Sequence, residues 1–167
     1  MYKRQIWSNS VEKIVKFIKN GESVVLLCLG DTSIFASSSN ILRIIKHNYP
    51  EIITKTIPGI SSLSATAALN DFDLVKKGET LIIKECPSSN SELTSLIKES
   101  RENKTVLAIM KIGKRWNLVR ETLKKEDIIK KSLIALSVGM PDQMIQNAFQ
   151  YNKDVMPYFS LILIRFD

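Results

Sequence analysis

Three turn-like segments, each directly after a strand-like apolar run, hold the residues best suited to binding a ligand. They are residues 29–35, 57–62 and 108–113. In open α/β sheets, ligands bind just beyond the carboxyl ends of strands and near the amino termini of helices. The three segments are therefore the places where we expect a ligand to approach the backbone.

The first segment contains a Gly-Asp pair between a buried strand and a helix. Gly30 lets a ligand come close to the backbone, because it has no Cβ. Asp31 could accept hydrogen bonds from a ligand hydroxyl or amine, or attract a cation. It could equally cap a helix that begins near Ser33. Gly-Asp by itself does not separate these two interpretations.

The other two segments offer small polar and basic groups. Ser61 and Ser62 could bind a ligand, although capping of the following helix is the commoner role of such serines. Met110 ends a predicted strand and would ordinarily be a core residue. After it comes a basic cluster that could meet carboxylates or could form a solvated loop. The cluster consists of Lys111, Lys114 and Arg115.

Histidine and cysteine, which nucleophilic and metal sites often use, are scarce in this chain. His47 is the only histidine, and Cys28 and Cys86 are the only cysteines. We expect two buried free thiols, and a histidine that closes a helix where a basic group meets the negative end of its dipole. Chemistry that depends on positioning fits this inventory best. Methyl transfer from a sulfonium is such a reaction, because the donor is already activated and alignment supplies much of the rate.

The composition indicates a globular protein. The chain has 167 residues, of which 44% are hydrophobic and 25% charged, with a net charge of +7. That charge is compatible with nucleic acid, a membrane surface or a polyanionic small molecule. The basic residues are spread along the chain, however, and aromatic residues are not interleaved with them as in a stacking platform for single strands. The apolar runs are too short to span a membrane, and we expect a cytoplasmic protein.

Helix and strand patterns alternate along the chain, which predicts an α/β fold with a mainly parallel sheet. Predicted strands cover residues 23–29, 52–57, 80–83, 105–110, 133–138 and 158–166. Predicted helices cover residues 11–18, 34–45, 61–69, 89–97 and 116–123. A polar stretch, 70–78, predicts a domain boundary. Domains are therefore expected at residues 1–73 and 74–167.

Taken in order, the motifs Gly30-Asp31, Pro58-Gly-Ile-Ser61 and the strand ending in Met110 resemble those of the tetrapyrrole methylase family. The strand and turn at residues 134–139 are similar as well. The ending, residues 157–164, resembles most closely the members that methylate precorrin-2 at carbon 20. The resemblance covers nearly the whole chain from about Val11. It implies a two-domain α/β fold, with a mainly parallel sheet in the first domain and a mixed sheet in the second.

The resemblance also implies a cofactor, S-adenosylmethionine, folded in a cleft between the two domains. Carried over by motif, its contacts are Leu29, Gly30, Asp31, Ile34, Ser61, Ser62, Met110 and Gly139. Asp31 would meet the polar end of the cofactor, and Met110 would provide backbone groups and an apolar wall near the adenosine. A ring carbon of precorrin-2, or of its cobalt form, would attack the methyl group directly, without a catalytic side chain. The basic cluster would bind the many carboxylates of that substrate. The resemblance further implies a homodimer, since relatives are usually dimers.

The beginning of the chain departs from the family pattern. Family members open with a strand and a Gly-x-Gly-x-Gly-Asp loop, and nothing in residues 1–20 resembles it. We therefore expect a fragment that lacks an amino-terminal piece, with residues 1–5 not native, and poor solubility or activity when it is expressed alone. Smaller departures are Thr32 and Phe35, where relatives often have Pro and Tyr. Two alternatives remain open: a ribosomal-RNA methyltransferase of the same fold and a non-catalytic ligand-binding module.

Overall fold

A computed structural model describes the backbone of residues 2–166 and the side chains of residues 5–166. It divides into two compact units, Met1–Ser61 (the first unit) and Ser62–Asp167 (the second unit). The domain boundary predicted after residue 73 stays a prediction.

The first unit is built on two helices, α1 (Tyr2–Lys19) and α2 (Ser38–Asn48). They pack through Val11, Val15 and Ile45, which are buried together. Val11 and Val15 lie on one face of α1, because residues four apart are neighbours on a helix. Lys46 and His47 stand in the last turn of α2, where the positive charge of Lys46 is favourable at the negative end of the helix dipole. The predicted position of the histidine is thereby confirmed.

Both helices begin at other residues than the pattern predicts. Residues 2–5, which the pattern leaves outside any regular element, continue α1, and Met1 lies outside the described residues. α2 starts at Ser38 instead of near Ser33. Bends occupy residues 32–35, and Phe35 has a φ of 51° in the left-handed region. The idea that Asp31 caps this helix is therefore wrong.

The strands predicted at residues 23–29 and 52–57 are also wrong, because the described residues of the first unit form no strand. Both segments are irregular and largely exposed instead. The exposed fraction is 89% for Leu27 and 98% for Ile53. A strand exists only where a second backbone pairs with it, and the described part of this unit pairs none with either run. The mainly parallel sheet predicted for the first domain is accordingly not formed there.

The described residues of the second unit form a five-stranded sheet, three α-helices and short 3-10 turns. The strands are β1 (Leu81–Glu85), β2 (Val106–Met110), β3 (Ser132–Leu136), β4 (Met144–Asn147) and β5 (Ser160–Ile164). The helices are α3 (Ser62–Leu69), α4 (Asn90–Glu102) and α5 (Trp116–Lys125). The strand order is β1-β2-β5-β3-β4, with β1 and β2 parallel and every other pair antiparallel. The predicted mixed sheet is therefore confirmed.

The core of the second unit lies around its central strands. β5 is buried along its whole length and pairs with β2 on one side and β3 on the other. α4 and α5 contribute apolar residues to the same core. Ser89 caps α4 by accepting a hydrogen bond from the Glu92 N–H, as the capping-box pattern predicts. Trp116 is fully buried and meets Tyr151 edge-on at 5.6 Å between ring centroids.

Arg165 links the end of β5 to the segment after α3. Its guanidinium donates hydrogen bonds to the Glu79 carboxylate and the Asp73 carbonyl, and lies 5.4 Å from the centre of the Phe72 ring. The polar stretch after α3 is thus fixed to the sheet. None of the described helices is long and apolar enough to cross a membrane.

Glu79 should make the stability of the second unit depend on pH. A hydrogen bond from the Lys76 N–H, and then one from Arg165, hold the pKa of Glu79 below its ordinary value of 4.5. A carboxylate with a lowered pKa stabilises the fold above its ordinary pKa, and that contribution is lost as the pH falls through the lowered value. Glu79→Gln should therefore unfold at a lower urea concentration than the parent near neutral pH, and the difference should shrink in acid.

Urea titrations at a series of pH values measure this difference. Glu102→Gln is a matched control, because Glu102 is an exposed carboxylate at the end of α4. A destabilisation by Glu79→Gln that is the same at neutral and acidic pH would contradict the role of the charge.

Candidate functional site

The first two predicted binding segments touch each other in the first unit. A Cβ added to Gly59 would lie 2.3 Å from the carbonyl oxygen of Gly30 and 3.1 Å from its carbon. Such distances are far inside van der Waals contact, so only glycine fits at residue 59. Gly30 itself has a φ of 71°, in the region that glycine adopts without strain. The Gly-Asp turn and the Pro-Gly turn therefore form one continuous piece of backbone surface.

Asp31 sits on this surface with its carboxylate already ordered. Its Oδ1 accepts hydrogen bonds from the backbone N–H and the hydroxyl of Ser33, both at 2.6 Å. Together with a weaker bond from the Ile34 N–H, these bonds lower the pKa of Asp31 below its ordinary value. The group is therefore an anion near neutral pH. An oriented carboxylate of this kind suits a ligand ammonium or hydroxyl.

The remaining predicted residues around these turns differ in exposure. Leu29 is exposed and Ile34 is half-buried. Ser61 is buried and directly precedes α3, whereas Ser62 is the first residue of α3 and belongs to the second unit. The carbonyl of Ser62 accepts a hydrogen bond from the Thr66 hydroxyl at 2.7 Å.

In the second unit, one end of the sheet gathers the third segment and the turn that contains Gly139. Met110 pairs with Glu85 of β1 and Leu161 of β5, and Leu136 pairs with Ser160. The carboxyl ends of β1, β2 and β3 therefore lie at the same edge as the amino end of β5. We call the segments that leave this edge the β2 turn (residues 111–115) and the β3 turn (residues 137–143).

Hydrogen bonds to the beginning of β5 connect the two turns. The Lys111 N–H donates to the Ser160 carbonyl at 3.1 Å, and the Ser137 N–H donates to the Phe159 carbonyl at 2.8 Å. The Gly113 N–H donates to the Ser160 hydroxyl at 3.0 Å. Residues 159 and 160 thus hold the β2 turn on one side and the β3 turn on the other.

Both turns begin with a non-glycine residue in the left-handed region. The φ angles are 58° for Lys111 and 49° for Ser137, and those of Gly113 and Gly139 are also positive. A non-glycine residue in this region costs about 1–3 kcal/mol and persists only where the surroundings enforce it. Such residues concentrate at functional sites. Their presence in both turns marks this edge of the sheet as a candidate binding site.

The β3 turn is shaped by two side chains that the sequence analysis missed. The Ser137 hydroxyl donates to Oδ2 of Asp142 at 2.9 Å, and the Gly139 N–H donates to Oε1 of Gln143 at 2.8 Å. Asp142 thereby stabilises the left-handed start of the turn, and Gln143 orients the backbone at Gly139. The only signal in the sequence is a polar pair placed shortly after a Gly-Met-Pro turn.

The basic cluster is partly committed to structural contacts. Arg115 donates to the Cys86 carbonyl at 2.7 Å, and Lys111 Nζ lies 3.6 Å from Oε2 of Glu85. These contacts fix the β2 turn against the end of β1, while Lys114 is exposed. Cys86 is a buried free thiol, as predicted, and burial raises its pKa. Cys28 is also free, but only half-buried.

The described residues form an α/β fold with a candidate binding site at the carboxyl ends of strands. The sequence matches the family of Tetrapyrrole (Corrin/Porphyrin) Methylases over residues 3–149, so the chain belongs to that family. The resemblance stated above is thereby confirmed.

Two relatives are methyltransferases named for precorrin-2 or its cobalt form. A cobalt-precorrin-2 C(20)-methyltransferase of Salmonella typhimurium is 23% identical over 97% of this chain, and a precorrin-2 C(20)-methyltransferase of a Sinorhizobium species is 23% identical over 98%. The chain spans 66% and 65% of the lengths of these two relatives.

Solved structures agree with the fold. One is the cobalt precorrin-4 methyltransferase CbiF, which is 17% identical and superposes with a TM-score of 0.72. The match covers 94% of this chain and 70% of the CbiF chain. Another is the methyltransferase CobJ, which is 20% identical and superposes with a TM-score of 0.66. The match covers 95% of this chain and 69% of the CobJ chain. At these identities the comparison establishes a common architecture.

The contact between the two glycines can be tested directly. Gly59→Ala should displace the backbone at Gly30, because the new methyl group would overlap the Gly30 carbonyl. We expect large shifts of the Gly30 and Asp31 amide signals in a ¹⁵N–¹H correlation spectrum. Ile60→Ala is the control: Ile60 is an exposed neighbour, and its truncation should leave those two signals in place. Unchanged signals in Gly59→Ala would show that the two turns do not touch.

Proposed function

We propose that this chain belongs to an S-adenosylmethionine-dependent methyltransferase that acts on precorrin-2, or its cobalt form, at carbon 20 in cobalamin biosynthesis. The main support is the edge of the second unit, where the β2 turn after Met110 and the β3 turn with Gly139 are joined through β5. Both turns lie within residues 3–149, which match the family to which the chain belongs. The names of its relatives favour the particular substrate.

The residues of the first unit fit the polar part of such a cofactor. Gly30 exposes backbone without a side chain, so a ligand could approach closely there, and Gly59 is packed against its carbonyl. Asp31 is held as an anion by Ser33, and the methionine end of the cofactor carries an ammonium group. We propose that Asp31 binds this ammonium, with Leu29 and Ile34 beside it and Ser61 at the start of α3.

The residues of the second unit fit the apolar part. Met110 is half-buried at the end of β2, where its flexible thioether can pack against a flat group. Gly139 lies in a turn whose shape is maintained by Gln143. We propose that Met110, Gly139 and Ser62 contact the cofactor from this unit, and that Lys111, Lys114 and Arg115 meet substrate carboxylates.

The proposed chemistry asks the protein mainly for positioning. S-adenosylmethionine supplies a methyl group on a positively charged sulfur. A ring carbon of the substrate would form the new bond to the methyl carbon, with the electron pair of the broken bond left on sulfur and a ring proton lost later. Preorganised contacts that align donor and acceptor contribute much of the rate in such reactions. The ordered turns and the fixed Asp31 carboxylate are suited to this task.

The same proposal includes a homodimeric whole protein acting in the cytoplasm on a small-molecule substrate. A ribosomal-RNA methyltransferase is a second candidate, favoured by the net charge of +7. Binding of ribosomal RNA with a steep salt dependence, combined with no affinity for a tetrapyrrole, would replace the first candidate by the second. Cofactor binding without methyl transfer in the whole protein would indicate a non-catalytic module.

Asp31→Asn tests the cofactor assignment. We expect the parent protein to bind S-adenosylhomocysteine, and the variant to bind it about tenfold more weakly or worse, since losing one charge-assisted hydrogen bond costs roughly 1.5–3 kcal/mol. The fold should persist, because Asn keeps the oxygen that accepts from Ser33. Titration calorimetry measures the affinity, and thermal unfolding checks the fold.

Glu51→Gln is the matched control, since it removes an exposed carboxylate of the same unit and should leave the affinity unchanged. Equal affinity of Asp31→Asn and the parent would refute the role of Asp31. If the unsubstituted protein does not bind S-adenosylhomocysteine at millimolar concentration, the assignment of S-adenosylmethionine as cofactor is refuted.

A further inference from the structure

Two adjacent aromatic side chains immediately before β5 are left exposed. The exposed fraction is 71% for Tyr158 and 48% for Phe159. Their rings form an edge-to-face pair with centroids 5.2 Å apart and an interplanar angle of 78°. Trp116 and Tyr151 in the same unit form a similar pair that is buried. Neighbouring exposed rings offer a large apolar area, and such areas on a protein surface mark binding sites.

The position of this pair is set by the hydrogen bonds that join the two turns. The Phe159 carbonyl accepts from Ser137, and the Ser160 carbonyl accepts from Lys111. The backbone of the pair is therefore held between the β2 turn and the β3 turn. The backbone of Tyr158 and Phe159 is consequently fixed at the candidate site.

Positive charge stands next to the pair. The β2 turn, which is bonded to Ser160, carries the basic cluster Lys111, Lys114 and Arg115. Lys114 and Arg115 are exposed, although one donor of Arg115 is used by the Cys86 carbonyl. A ligand complementary to this surface has a flat apolar centre and a rim of negative charge.

We infer that Tyr158 and Phe159 receive the ring face of a polycarboxylated tetrapyrrole, while Lys114 and Arg115 meet carboxylates at its rim. This inference rests on the proposed function, and it assigns the ring-binding surface to two residues outside the cofactor contacts. Aromatic rings stack on flat ring systems, and guanidinium and ammonium groups bind carboxylates. Adenine is also flat, but it carries no negative charge for the basic cluster to match.

The test uses uroporphyrin III as a stable polycarboxylated probe of the ring, titrated into the full chain and followed by its absorbance. The double variant Tyr158→Leu/Phe159→Leu keeps apolar bulk but removes both rings. We expect its affinity for uroporphyrin III to fall about tenfold or more. Tyr158→Phe/Phe159→Tyr keeps both rings and should retain the affinity. Phe149→Leu is the matched control, because Phe149 is 61% exposed elsewhere in the same unit.

The same proteins are titrated with S-adenosylhomocysteine, and their folding is checked by thermal unfolding. The inference is supported if Tyr158→Leu/Phe159→Leu loses affinity for uroporphyrin III but not for S-adenosylhomocysteine, and if Tyr158→Phe/Phe159→Tyr keeps both affinities. Loss of S-adenosylhomocysteine affinity alone would assign the pair to adenine and overturn it. A double variant that binds uroporphyrin III normally but sediments as a smaller species would assign the pair to contact with a second copy and also overturn it.

The parent protein separates this inference from the proposed cofactor. A parent that binds S-adenosylhomocysteine but not uroporphyrin III refutes the ring surface and leaves the cofactor assignment intact. A parent that binds uroporphyrin III through Tyr158 and Phe159, but not S-adenosylhomocysteine, refutes the cofactor and supports the ring surface.

Discussion

The central position of β5 is the constraint on which the candidate site of the second unit depends. β5 comes last in the chain, yet it lies between β2 and β3 and pairs antiparallel with both. This topology brings the beginning of β5 to the edge where β2 and β3 end. Because the backbone groups of residues 159 and 160 then bond to Ser137 and Lys111, two turns far apart in sequence become one surface.

The left-handed residues of these turns are tolerated for the same reason. A loop joined only to its own strand could relieve the strain at Lys111 or Ser137 by moving. Here Lys111 is bonded to the first residue of β5, a strand buried along its whole length. Ser137 is bonded to Phe159 just before that strand, and to Asp142 as well. The conformation is therefore fixed before any ligand arrives, and a ligand that binds it pays little ordering entropy.

Local patterns predicted the second unit well and the first unit poorly. The apolar runs of β2, β3 and β5 and the cap at Ser89 are local signals that agree with the packing around them. The run at residues 23–29 has the same composition as a buried strand, but a strand also needs a partner backbone, and composition does not encode one. β4 was missed because its residues are partly exposed and polar. The start of α2 was missed because residues 32–35 bend and Phe35 lies in the left-handed region, which apolar spacing does not reveal.

The sequence predicted which motifs form the candidate site, but not the contacts between their residues. The sequence placed Gly30, Asp31, Met110 and Gly139 at the ends of predicted strands, and the last two do lie at one edge of the sheet. The clash that excludes a side chain at Gly59 depends on a residue far away in the chain. The bonds of Asp142 and Gln143 depend on the path of the turn. Interactions of this kind follow from the fold, and no spacing rule reveals them.

The exposed run at residues 23–29 has a consequence for the protein at high concentration. It is irregular, rich in Val and Leu, and contains neither proline nor a charged residue. Identical segments of this composition from different chains can stack in register, each satisfying the backbone groups of the next while their side chains interdigitate in a dry interface. The lysines at 13, 16 and 19 precede this run. In a stack of chains they would come close together and repel one another, which would oppose the assembly. Added salt screens such repulsion, so any assembly through this segment would increase with ionic strength.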